Sequence, residues 1–182
     1  TITADRLVIA TGSRPVVPDL AGLNSVDFHT SDTVMRLPEL PRSMIIIGGG
    51  YVSAEFAHIF SAFGTSVTVL SRSEVLLRRE DADVAKRFTE LLGRRVDVRL
   101  ETSVELVEST PDGQVRVHVS GREGEQESLE AETLLIATGS TPFILPIPGN
   151  ALHGVIGYRD IADTQAMIDT AKTHKHAVVI GG

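Results

Sequence analysis

Three consecutive glycines, Gly48-Gly49-Gly50, run into Tyr51-Val52-Ser53 directly behind the apolar stretch Met44-Ile45-Ile46-Ile47. Glycines at that spacing let a backbone turn tightly and approach a phosphate closely. Gly48 is placed to make the turn and Gly50 to admit a pyrophosphate. The N–H groups that open the following helix, with their partial positive charge, would hold it. In the G-x-G-x-x-G pattern of dinucleotide sites a third glycine permits close helix–strand packing. Here Ser53 stands in that place, followed by Ala54, and both are small enough to serve. Gly48, Gly50, Tyr51, Val52 and Ser53 are therefore candidate cofactor residues. A glycine-rich turn with no ligand is the alternative.

The residue closing the second strand, about 20 positions on, discriminates further. An Asp or Glu there would bond ribose hydroxyls and favour NAD. The sequence instead has Val69-Leu70-Ser71-Arg72-Ser73, and Arg78-Arg79 follow. Guanidinium forks suit a 2′-phosphate, and a serine hydroxyl can bond it. Ser71, Arg72 and Arg78 thus predict NADP(H), with NAD(H) the alternative. A solvated basic turn ahead of Glu80-Asp81 is the plainer account of Arg78-Arg79. His174-Lys175-His176 has the spacing of a strand-borne metal pair, but no third ligand is near, so no metal site is expected. His58 reads as a surface or packing histidine.

These residues need elements to hold them. Residues 6–10 and 44–47 are short continuous apolar runs, the pattern of buried strands. Residues 51–63 read as a helix, with Val52, Phe56, Ile59, Phe60 and Phe63 at helical spacing and Gly64 as its stop. Residues 66–70 are β-branched and strand-like. Residues 81–92 read as a second helix capped by Asp81, with Val84, Phe88, Leu91 and Leu92 on one face. A short helix is expected over 31–36, capped by Ser31 or Asp32 and ended by Pro38. Residues 95–99 are a further strand. Then the pattern changes: 103–108, 114–119 and 126–131 are strands with no helix between them, joined by turns at Pro111-Asp112-Gly113 and Gly121-Arg122-Glu123-Gly124. Residues 133–137 return to a buried strand. The order predicts an α/β fold: a Rossmann-like, doubly wound parallel sheet in which an antiparallel meander replaces the last crossover helix.

Composition sets outer limits. Among 182 residues, 17 Lys+Arg face 24 Asp+Glu, a net charge of −7, and there is no Cys. The acidic balance argues against a nucleic-acid partner, which requires a surplus of cations. Without cysteine this chain carries no disulfide, thiolate metal site or thiol redox step. No apolar run approaches the ~18 residues of a membrane helix, and the start does not read as a signal peptide. A cytoplasmic location and no membrane partner are the expectation. The length suits one domain with pieces of a second, and both Thr1 and Gly182 read as ends cut from something longer.

The chain also repeats itself. Ala4-Asp5-Arg6-Leu7-Val8-Ile9-Ala10-Thr11-Gly12-Ser13-Arg14-Pro15 is echoed by Ala131-Glu132-Thr133-Leu134-Leu135-Ile136-Ala137-Thr138-Gly139-Ser140-Thr141-Pro142. Each copy continues through a Pro-rich stretch and a short segment with an acidic start (Ser31-Asp32, then Asp160). Each then reaches an apolar strand running into glycines, at 44–50 and at 177–182. Two copies are too few for a solenoid. They read as two passes of one connecting device.

Ala10-Thr11-Gly12, the run from Ile46 through Ala57 and Ala137-Thr138-Gly139 together resemble the pyridine nucleotide-disulfide oxidoreductase family. Residues 1–140 are similar to the middle of its disulfide-reductase branch, which includes the mycothione reductases and dihydrolipoamide dehydrogenases. Residues 131–182 are similar instead to the connector of flavin reductases of the nitrite reductase large-subunit type. The resemblance implies a flavoprotein that passes a hydride from NADP(H) or NAD(H) to FAD. It implies three regions: 1–41 as the end of an FAD-type domain and its connector, 42–137 as the NAD(P)H-binding domain, and 138–182 as a connector with the first strand of a truncated second dinucleotide-binding unit. It adds Thr11, Gly12, Ala137, Thr138 and Gly139 to the cofactor-binding candidates. It sets Tyr51 over the nicotinamide pocket and Glu55 near the carboxamide. A packing tyrosine and a first-turn carboxylate favoured by the helix dipole are the plainer accounts. The implied partners are the dinucleotide and the rest of the flavoprotein, a homodimer among the options. This chain alone is expected to be inactive, with no catalytic residue of its own. A module binding FAD or an adenine nucleotide, and a non-catalytic remnant of the fold, stay open as alternatives.

Overall fold

The computed structural model describes residues 3–181. Along the chain the strands and helices are β1 (Arg6–Ile9), β2 (Ser13–Pro15), β3 (Ser43–Ile47), α1 (Tyr51–Ala62), β4 (Ser66–Leu70), α2 (Ala82–Leu92) and β5 (Asp97–Arg99). They continue with β6 (Ser103–Ser109), β7 (Val115–Ser120), β8 (Gln126–Ala131), β9 (Thr133–Ile136), β10 (Ser140–Pro142), β11 (Val155–Gly157), α3 (Ile161–Ala171) and β12 (Ala177–Ile180). Two units form, one from residues 15–139 and the other from 1–14 with 140–182.

In the larger unit a parallel sheet runs β5-β4-β3-β9. Residues alternate between its faces, which is why its central strands read as unbroken apolar runs. Met44, Ile46 and Leu135 pack on the α1 side with Phe56, Ala57 and Phe60. Ile45, Ile47, Leu134 and Ile136 pack on the other side with Val107, Val115 and Val117 of the meander β6-β7-β8. The doubly wound order with an antiparallel insertion is thus the architecture expected. At about 1.5–3 kcal/mol for each large apolar side chain taken from water, the two layers hold the glycine turn in place.

The helices bury the middle of the face their sequence patterns give, with Phe56 and Phe60 of α1 and Leu92 of α2 buried and Ile59 and Phe88 packed against the same core, but not the whole of it. In α1 the buried residues are Ser53, Phe56, Ala57 and Phe60. Phe63, expected on that face, lies beyond the last turn and is 67% exposed. In α2 the buried line is Ala85 and Leu92, with Thr89 between them; Val84 and Leu91 are exposed. Thr89 shares this strip with Phe88 and Leu92. Its Oγ1 donates to Ala85 O and accepts from Leu76 N–H, so a hydroxyl occupies the buried strip. Asp81 caps α2 as expected, accepting from the N–H groups of Asp83 and Val84. Asp81→Ala should cost about 1 kcal/mol, read as a lower urea midpoint. The helix expected over 31–36 is one 3-10 turn, Val34–Arg36, capped by neither Ser31 nor Asp32. Pro38 ends it on the far side, as expected. The stretch before β3 is nevertheless no loose linker, because Leu23, Val26 and Val34 are buried in the core clusters.

The smaller unit holds the parallel sheet β11-β1-β12. The repeat is visible in its registers. Leu7, Val8 and Ile9 face Val178, Val179 and Ile180, just as Leu134, Leu135 and Ile136 face Ile45, Ile46 and Ile47. Ala10 N–H donates to Ile180 O at 2.6 Å, and Ala137 N–H to Ile47 O at 2.8 Å. Asp160 begins α3 through a capping box with Asp163, which accounts for the acidic start read from the sequence.

Candidate functional site

The candidate site is built on the turn between β3 and α1. Gly48 has φ of +139°, a region closed to most side chains. A Cβ there would stand 2.2 Å from Ala137 O and 2.7 Å from Ala137 C. Two strand ends therefore meet so closely that only hydrogen fits between them. Gly49 lies over Ser71, whose Oγ would be 2.5 Å from an added Cβ. Gly50 caps α1 from extended backbone, and a Cβ there would meet nothing within 4 Å. That open face is where a ligand could approach. Ser53 is buried, and its Oγ donates to Gly48 O at 2.6 Å, tying the helix to the turn in the place of a third glycine.

The start of α1 contrasts with those of the other helices. Asp81 and Asp160 supply side-chain caps for α2 and α3, each with a further Asp in the first turn. Helix α1 has no side-chain cap and no acidic residue in its first turn. Its first N–H groups are left for another acceptor, the condition an anion site requires. Glu55, read as a first-turn carboxylate, stands one turn further in and is exposed.

A loop from Ser71 to Glu80 lies against this turn. Ser71 is buried, and its Oγ accepts from Ser73 N–H at 3.2 Å. Leu77 N–H donates to Gly49 O at 2.7 Å. To make that bond Leu77 takes φ of +54°, a conformation costing a non-glycine residue of order 1 kcal/mol. Buried Leu76 anchors the loop beside it. Tyr51 donates its hydroxyl to Glu80, and this bond, reinforced by the carboxylate's charge, raises the phenol above its ordinary pKa. Sequence reasoning missed Leu76, Leu77 and Glu80. The only local sign of them was an apolar pair inside a polar loop. Arg72, Arg78 and Arg79 are exposed and form no salt bridge among the described residues.

Most of the predicted residues fall together. Gly48, Gly50, Tyr51, Val52 and Ser53 form the turn and helix start. Ser71, Arg72 and Arg78 lie in the loop fastened to it. Ala137 abuts Gly48, with Thr138 and Gly139 following on an exposed segment. Thr138 Oγ1 donates to Val16 O at 2.8 Å. Thr11 and Gly12 are in the smaller unit, where Thr11 makes the matching bond to Phe143 O. His58 is exposed at 3.3 Å from Arg95. No group of three metal-ligating side chains occurs among the described residues. No helix among them is long and apolar enough to cross a membrane.

The family pattern described as pyridine nucleotide-disulphide oxidoreductase matches residues 1–125 and again 107–182. The chain belongs to the pyridine nucleotide-disulphide oxidoreductase family. Members of this family use FAD and NAD(P)H, and its double match coincides with the internal repeat. The chain is 44% identical over 138 residues to mycothione reductase of Mycobacterium tuberculosis (strain H37Rv), covering 75% of this chain and 29% of that protein. It is 37% identical over 159 residues to mercuric reductase of Bacillus cereus, covering 87% of this chain and 25% of that protein. Among solved structures, the HOCl-induced flavoprotein disulfide reductase RclA from Escherichia coli matches with a TM-score of 0.71 at 27% identity. That match covers 93% of this chain and 45% of the RclA chain. The chain therefore spans less than half the length of each of these relatives.

Proposed function

We propose that residues 42–137 are the NADP(H)-binding domain of an FAD-dependent pyridine nucleotide oxidoreductase. On this reading residues 1–41 and 138–182 are the connectors to its FAD-type part, with 177–182 opening a second dinucleotide-binding unit. The observation that carries the reading is the uncapped start of α1 behind a glycine turn too tight for any side chain. An anion is the group such a helix start accepts best. The bound nicotinamide supplies the hydride chemistry, and the protein supplies grip and orientation.

Each residue has a task in this reading. Gly48 sets the turn, and Gly50 and Val52 offer N–H groups to the pyrophosphate. Ser53 locks the helix start. Ser71, Arg72 and Arg78 receive the 2′-phosphate, which unpaired guanidinium groups suit and a carboxylate would repel. Tyr51 and Glu55 face the nicotinamide end. Ala137, Thr138 and Gly139 border the turn, and Thr11 and Gly12 serve the FAD-type part. No residue of this chain is assigned a bond-making step, and the isolated chain is expected to turn over nothing.

Calorimetric titration with NADPH and with NADH tests the specificity. NADPH should bind more tightly, and Arg72→Glu should weaken NADPH about tenfold or more while leaving NADH nearly unchanged, because a charge-assisted bond is worth about 1.5–3 kcal/mol. Equal affinities that the substitution does not move would contradict the assignment.

A further inference from the structure

Two residues other than glycine take φ above zero among the described residues, Leu77 at +54° and Glu101 at +50°. They are distant in sequence, yet both donate their N–H groups around one loop. Leu77 N–H donates to Gly49 O at 2.7 Å, and Glu101 N–H donates to Ser73 O at 3.1 Å. Strain of this kind persists only where the surroundings over-determine it, and it gathers at ligand clamps.

The bonds around these two residues bracket the arginines of the loop. On one side of Arg72, Ser71 N–H donates to Arg99 O and Ser71 O accepts from Thr102 N–H, each at 2.9 Å. On its other side, Ser73 N–H donates to Ser71 Oγ while Ser73 O accepts from Glu101. Ahead of Arg78, Leu76 N–H donates to Thr89 Oγ1 at 3.0 Å. Leu77 engages both of its backbone groups, its O accepting from Glu80 N–H at 2.8 Å. The guanidinium groups of Arg72 and Arg78 are meanwhile exposed and form no salt bridge among the described residues. A fixed frame that carries free cations is a preorganised receptor for an anion. We propose, resting on the NADP(H) assignment above, that Leu77 and Glu101 are positioning residues. Their left-handed backbones hold Arg78 and Arg72 in place before a ligand arrives, and so set the preference for a dinucleotide with a 2′-phosphate. Without them the loop would be ordered only on binding, and that ordering would weaken the grip on the phosphate. NADH has no 2′-phosphate and would lose little.

Amide hydrogen exchange on the ligand-free chain reads the frame itself. The N–H groups of Leu77 and Glu101 should exchange at least about tenfold more slowly than those of Arg72 and Arg78. Leu77→Pro forbids the positive φ and removes the N–H. The ratio of NADPH to NADH affinity, from titration calorimetry, should then fall about tenfold, as for the loss of one charge-assisted bond. Glu101→Pro should act in the same direction through Ser73. Leu77→Asn tolerates the left-handed region and should keep the wild-type ratio. A merely structural role would lower both affinities together in Leu77→Pro and leave their ratio unchanged, and that result overturns the proposal. So does fast exchange at Leu77 and Glu101 in the wild-type chain, a measurement that needs no variant to fold. A wild-type chain with protected amides but no preference for NADPH contradicts the NADP(H) assignment itself, and the proposal falls with it.

Discussion

Gly48→Val should unfold the larger unit at much lower urea than wild type, with a loss of about 3 kcal/mol or more, and should remove dinucleotide binding with it. Two costs combine. A valine at φ of +139° is in a region almost reserved for glycine. Its Cβ would also overlap Ala137 O and Ala137 C, at 2.2 and 2.7 Å. Both are main-chain atoms of the residue that follows β9, so relief requires the ends of β3 and β9 to separate, and the ladder from Met44 to Ile47 would be disturbed. Gly50→Ala is the control. It has φ of −93° and open space where the Cβ would go, so its stability should change by no more than about 1 kcal/mol. Urea unfolding followed by circular dichroism separates the two. Equal midpoints for Gly48→Val and Gly50→Ala would show that the turn is not the tight junction described.

Leu135→Ala should cost about 2–5 kcal/mol, as truncations in closed apolar surroundings do. Leu135 has no exposed surface and packs from β9 into the layer shared with Ile46, Phe56 and Phe60. Its neighbour Leu134 faces the meander, so the cavity would open on the helix side of the sheet only. Phe63→Ala should change stability by no more than about 0.5 kcal/mol, because that ring is largely in solvent. The pair contrasts two large apolar residues of similar composition value and opposite placement. A large loss for Phe63→Ala, measured in guanidinium, would place that ring in a core it does not enter here.

These contrasts also mark what could be read from sequence. The buried strands were legible because a sheet covered on both faces needs apolar residues at every position, as Met44 to Ile47 shows. The glycine turn was legible because φ above zero at Gly48 admits almost nothing else. The meander followed from Pro111-Asp112-Gly113, where Gly113 takes φ of +83°. Asp81 was legible because capping is a local affair between a side chain and the next turn. How far the buried face of α1 and α2 extends was not, since Phe63 and Val84 satisfy the helical period yet lie largely in solvent. The packing of Leu23 and Val26 against the meander was hidden for the same reason, since it depends on residues some 80 positions away, such as Val107. The αL conformation of Leu77 is set by Gly49 O, and nothing in its own neighbours announces it. In the candidate site, the glycine turn and the basic residues were found by type and spacing. The loop that fastens them together was found only by its hydrogen bonds.

The central claim is that a dinucleotide sits on the uncapped start of α1. Backbone amide chemical shifts followed during NADPH titration test it most directly. The account predicts shifts concentrated at Gly48 to Ser53 and at Ser71 to Arg79, with NADH producing weaker changes at the second stretch. Saturating NADPH that leaves Gly48 to Ser53 unmoved, or moves the meander instead, would contradict it.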